Sequence, residues 1–143
     1  MSENDPFKNV ALLAARILFT PLFYYSGIGK ILAFSVTASR LPGGGGMLGK
    51  VLAAGALSIE LGCGTAVLLG LLARPAASIL IAFTFAATLM FHQFWAATDA
   101  TVVSQTVNFL KNLGLMGGLG LIATFGPGNY SLQAILLRPR QAA

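Results

Sequence analysis

Charge is what this sequence has least of. Charged residues make up 9% of the chain, with four acids, nine bases and one histidine, against 56% hydrophobic residues. So little charge excludes an ordinary water-soluble domain, which would be left with a wide apolar surface. The mean hydropathy of +0.79 points to lipid as the solvent. The bases are scattered, with no run of Lys or Arg, so the net charge of +5 implies no nucleic-acid partner. A single cysteine, Cys63, excludes an intrachain disulfide and any cysteine-built metal cluster, and no metal site is expected. A single histidine, His92, cannot supply both axial ligands of a haem. The four glycines at 43–46 follow no strand and so form no flavin or nicotinamide signature. No cofactor is evident in the chain itself.

What is present instead is a set of long apolar runs, at residues 11–23, 51–72, 76–95 and 107–125. A spanning helix needs about 20 mostly apolar residues, and continuous runs rich in Ala and Leu disfavour an alternating transmembrane barrel. The chain therefore reads as an all-α membrane protein, a four-transmembrane-helix bundle whose first partner is the lipid bilayer. It forms a single membrane domain over residues 1–143, with spans at about 9–29, 50–72, 75–96 and 104–125. Residues 31–41 suit a short amphipathic segment, and Pro42 with the following glycines suits a flexible link. Pro75 suits the first turn after a tight hairpin, and Gly126-Pro127-Gly128-Asn129 stops the fourth helix. The polar start lacks a clear cleavage site, so an uncleaved first span is expected. Lys8, Arg74, Arg138 and Arg140 share one side, against Lys30, Arg40 and Lys50 on the other. That bias puts both termini in the cytoplasm.

Each run carries one ionisable side chain: Arg16, Glu60, His92 and Lys111. Such a group at membrane depth costs about 2.5–3.5 kcal/mol on insertion scales, so it normally faces the bundle interior and finds a partner. Arg16 and Glu60 read as buried structural charges, as an ion pair with each other or with Lys111 relieving Glu60. At about 1.5 Å per residue, His92, Lys111, Tyr24 and Tyr25 fall in one layer of the outer half. Gln105, Asn108, Lys111 and Asn112 recur at helical spacing and suggest a stripe turned inward. His92, Lys111, Asn108, Tyr24 and Tyr25 are thus the candidate ligand-binding residues; the tyrosines and His92 equally suit an aromatic belt, and the asparagines interhelical hydrogen bonds. Gly62, Ala66 and Gly70, and Gly114 with Gly118, are small residues four apart that could seal the monomer or join copies.

Several segments taken in order resemble the DoxX family of bacterial membrane proteins. They are Ala15-Arg16-Ile17-Leu18, Tyr25-Ser26-Gly27-Ile28-Gly29-Lys30, Ile59-Glu60-Leu61, Phe91-His92-Gln93-Phe94-Trp95, Asn108-Phe109-Leu110-Lys111-Asn112 and Phe125-Gly126-Pro127-Gly128. The resemblance implies a multi-pass protein of the bacterial inner membrane, linked to redox chemistry through relatives in quinone-dependent thiosulfate oxidation and membrane redox complexes. It points to Arg16, Lys30, Glu60, His92, Asn108 and Lys111. Gln133 departs from the pattern, standing where an acid is expected, and the glycines at 43–46 make an unusually plain loop. The leading expectation is a redox-linked subunit that holds a quinone-like or other small lipophilic molecule in an intramembrane polar site. Alternatives are a non-catalytic assembly subunit of a larger membrane complex, self-associating or not, and a small transporter or proton relay.

Overall fold

Asp5 opens the first helix, α1 (Pro6–Leu32), where its carboxylate accepts from the amides of Phe7 at 3.0 Å and Lys8 at 3.4 Å and Pro6 sits in the first turn. The structure is a computed structural model and describes residues 5–137. The first four residues and the two arginines at 138 and 140, used above for orientation, lie outside that range. The expected amphipathic segment is the short helix α2 (Phe34–Ser39), and the glycine link that follows takes left-handed turns at Gly43 and Gly44. Helix α3 (Met47–Leu69) contains a π turn over Ile59–Cys63. It stops three residues before the expected Leu72, because Gly70 turns left-handed and the Leu71 amide returns to the Ala66 carbonyl at 2.9 Å. Helix α4 (Ala73–Phe91) holds Pro75 in its first turn. It ends short of the expected residue 96, because His92 leaves the helical region and only a 3-10 turn, Phe94–Ala96, follows. Helix α5 (Val102–Phe125) ends at Gly126, and α6 (Leu132–Leu137) closes the described chain.

Among the described residues, three helices are long and apolar enough to cross a membrane: α1, α3, and α4 with its 3-10 turn. The fourth pillar, α5, has 24 residues, but Gln105, Asn108, Lys111 and Asn112 dilute its apolar character. It runs antiparallel to α4, with Ala76, Ala77 and Leu80 against Leu115, Leu119 and Ile122. Only 28%, 22% and 28% of the three span windows are buried, so most residues of each helix stay at least partly open to the outside of the bundle. The result is an all-α membrane bundle.

The described chain ends lie at the same end of the bundle as the turn at residues 70–72, since the Gln133 amide donates to the Gly70 carbonyl at 3.3 Å and the Asn129 amide to Asn9 Oδ1 at 2.8 Å. This terminal end holds most of the apolar core. Its packing uses small residues: a Cβ at Gly118 would enter the Phe19 ring, which sets the approach of α1 to α5. Of the two small-residue faces expected from spacing, Gly70 and Gly118 pack inside the monomer, while a Cβ added at Gly62 or Gly114 would meet no other described part of the bundle within 4 Å. The half nearer the loops at residues 33–46 and 92–101 contains most of the polar contacts between helices.

Candidate functional site

Glu60 sits in the π turn of α3, 4% exposed. Its partner is Lys30, whose Nζ lies 2.8 Å from both carboxylate oxygens. Side chains lean toward the N-terminus of their helix, and Lys30 accordingly reaches back one turn, so that Nζ also donates to Ser26 Oγ at 2.6 Å. That hydroxyl donates in turn to Glu60 Oε1 at 2.9 Å. Gly27 permits the approach, because a Cβ there would lie 2.7 Å from Leu61 Cδ2. This is the one ion pair among the described residues.

Arg16 is buried as expected but does not meet Glu60, and neither does Lys111. The reason is level: Arg16 lies ten residues below Ser26 on α1, about 15 Å along the axis. Its guanidinium instead donates to the carbonyls of Tyr130 and, at 3.4 Å, Leu68. Leu68 is in the last turn of α3, where a cation satisfies an orphan carbonyl and the negative end of the helix. Arg16 therefore brackets α3 to the segment that follows α5. Among the described residues its buried Nε has no partner.

The five candidate ligand residues do not share one chamber. His92 Nδ1 faces Gln105 Oε1 at 3.0 Å near the loop end. Tyr24 shares a hydrogen bond with Thr65 at 2.6 Å between α1 and α3. Tyr25, 82% exposed, faces outward. Asn112 donates to Thr88 at 2.9 Å and ties α5 to α4. Only Lys111 and Asn108 come together, with Nζ donating to Oδ1 at 3.0 Å. They stand at the flank rather than the interior, and Lys111 closes a groove of about 200 Å³ with Leu18, Phe19, Leu22 and Leu115 between α1 and α5. Among the described residues Lys111 has no carboxylate partner, and no three His, Cys, Asp or Glu side chains cluster in metal-binding fashion.

Sequence reasoning missed three parts of this arrangement: Ser26 as a bridge, Lys30 as the counter-ion of Glu60, and the apolar walls around Lys111. The first two had a signal, since Ser26 and Lys30 are four apart and share a helix face. Leu18 and Leu22 are also four apart, but nothing in the sequence sets them against α5.

Comparison with known proteins agrees with the architecture. The DoxX family model matches residues 11–93. The inner membrane protein YphA of Escherichia coli strain K12 is 31% identical over 125 residues, covering 87% of this chain and 89% of that protein. The inner membrane protein YqjF of the same organism is 35% identical over 134 residues, covering 90% of this chain and 94% of its own. No solved structure matches.

Proposed function

This chain belongs to the DoxX family of integral membrane proteins, and we propose that it is a redox-linked membrane subunit that holds a quinone-like or other small lipophilic molecule at the α1–α5 flank. The observation that carries the reading is Lys111, an ammonium about 14 Å along α5 from its loop end, bonded to Asn108 and set over Leu18, Phe19, Leu22 and Leu115. A cation at such depth gains from a hydrogen-bond acceptor. A quinone carbonyl is one that also exchanges protons, and apolar walls suit its ring. Asn108 would orient the ammonium and Leu115 would exclude water, while an isoprenoid tail would run into the surrounding lipid. Electrons would come from the bound molecule or from a partner chain.

Lys111→Met keeps the length and apolar stem without the charge. It is expected to lower the bound quinone extracted from gently purified protein at least tenfold, with unchanged thermal stability. Wild-type quinone stoichiometry in that variant would reject the groove as the site. A second reading, an assembly subunit, draws on Gly62 and Gly114, which are exposed and where an added Cβ would meet no other described part of the bundle within 4 Å, leaving room for a partner helix. Recovery in a stoichiometric complex with no bound quinone would favour it.

We also place both termini in the cytoplasm. Lys30 is committed to Glu60, which leaves Arg40 and Lys50 free at the loop end against Lys8 and Arg74 at the terminal end, with Arg138 and Arg140 following in sequence. Single cysteines at positions 45 and 99, in a Cys63→Ala background, should react with an impermeant maleimide on intact spheroplasts. Reaction only after permeabilisation would reverse the orientation.

A further inference from the structure

We propose that the terminal end of the bundle carries a binding site for the headgroup phosphate of an anionic phospholipid. A cavity of about 340 Å³ lies between the first turns of α1, the end of α5 and helix α6. That volume is at the lower end of the range for small-molecule pockets, about 300–1,000 Å³. Its wall is mixed: Lys8, Ser131 and Gln133 supply polar groups, and Phe125, Pro127 and Leu137 supply apolar surface.

Two observations select an anionic ligand, and a third selects a lipid over a soluble one. Lys8 is half-buried, with its ammonium 5.7 Å from the centre of the Phe125 ring, and among the described residues no carboxylate pairs with it. Among the described residues, then, the cavity's positive charge has no carboxylate partner and stands beside an aromatic face. Residue 133 is a glutamine, so its side chain brings a neutral amide donor rather than a carboxylate that would cancel Lys8. Finally, α6 presents Ile135, Leu136 and Leu137 to the outside, 62%, 69% and 71% exposed. A short helix with so apolar an outer face belongs in the membrane interface, where acyl chains can lie along it while the headgroup enters beside Lys8. Basic pockets at the ends of transmembrane helices bind such headgroups in this way. This site stands apart from the Lys111 groove, and neither depends on the other.

Native mass spectrometry of delipidated protein, titrated with phosphatidylglycerol or with phosphatidylethanolamine, tests the assignment. Wild-type protein is expected to prefer phosphatidylglycerol by about fivefold, the scale of one lysine near an anionic lipid surface. Lys8→Met and Gln133→Glu should each abolish that preference, whereas Lys50→Met, at the opposite end, should keep it. Equal binding of the two lipids by wild-type protein would overturn the proposal, as would full preference in both cavity variants. Binding of inorganic phosphate in detergent without lipid, with no gain from phosphatidylglycerol, would overturn it in favour of a soluble anion.

Discussion

Glu60→Gln is expected to lower the unfolding free energy of the bundle by about 3 kcal/mol. The amide removes the charge that compensates Lys30 while leaving the ammonium where Ser26 and the π turn hold it. Losing one partner of a buried pair typically costs about 3–5 kcal/mol, most of it the desolvation of the orphaned charge. The low end applies because the Lys30 side chain is 22% exposed and lies two residues from the end of α1, so it can partly reach the headgroups. Removing both charges together, as Lys30→Met with Glu60→Leu, should recover most of the loss, because two apolar groups of similar volume leave no charge orphaned and the Ser26 hydroxyl can turn to a carbonyl of its own helix. Unfolding in mixed micelles of increasing dodecyl sulfate fraction measures both. Wild-type stability in Glu60→Gln would mean that the pair contributes nothing to the fold.

Gly70→Ala should be as damaging, again by about 3 kcal/mol or more, through backbone and contact together. Gly70 has φ +68°, and a left-handed residue with a Cβ carries a penalty of about 1–2 kcal/mol. The added methyl would also fall on Arg16 Nη1 and on Ser131 Cβ, with Pro127 Cβ at 3.0 Å. It would displace the guanidinium from the carbonyls of Leu68 and Tyr130 and so release the segment after α5. Gly44→Ala is the control: its φ of +56° is similar, but nothing lies within 4 Å of the new methyl, so only about 1 kcal/mol is expected. Equal losses in the two variants would show that the Arg16 bracket adds nothing.

Three of the four expected spans were legible because lipid imposes a length and a composition on any helix that crosses it, and the polar residues of α5 take the fourth outside that composition. The concentration of polar contacts toward the loop end was legible from depth alone. Partners within it were not. A depth count treats helices as rods that start level, yet α1 runs on to Leu32 and Lys30 leans back along it, so Glu60 finds Lys30 rather than Arg16. The polar residues of α5 likewise do not form one stripe. At about 100° per residue, Gln105 and Asn112 share the face toward Thr88 on α4 and His92 just beyond its end. Lys111 lies about 120° round from Gln105 and shares a face with Gly118, which meets Phe19 of α1. Spacing shows which residues share a face; the neighbour that face meets is decided by packing.

The π turn at Ile59–Cys63 gives α3 a property of length. Its carbonyls are taken up five residues on instead of four, so the stretch holds one residue more than an α-helix would use for the same advance. Before it, Gly49 packs against the carbonyls of Gly44 and Ala38; after it, Gly64 meets Phe23 and Val67 enters the core. Those two halves are phased separately, and arithmetic in threes and fours holds only inside each. A relative one residue shorter here could keep both packings by closing the π turn into an α turn. Within this span, insertions and deletions thus have one place where they leave either end in register, and it is the turn that carries the buried carboxylate.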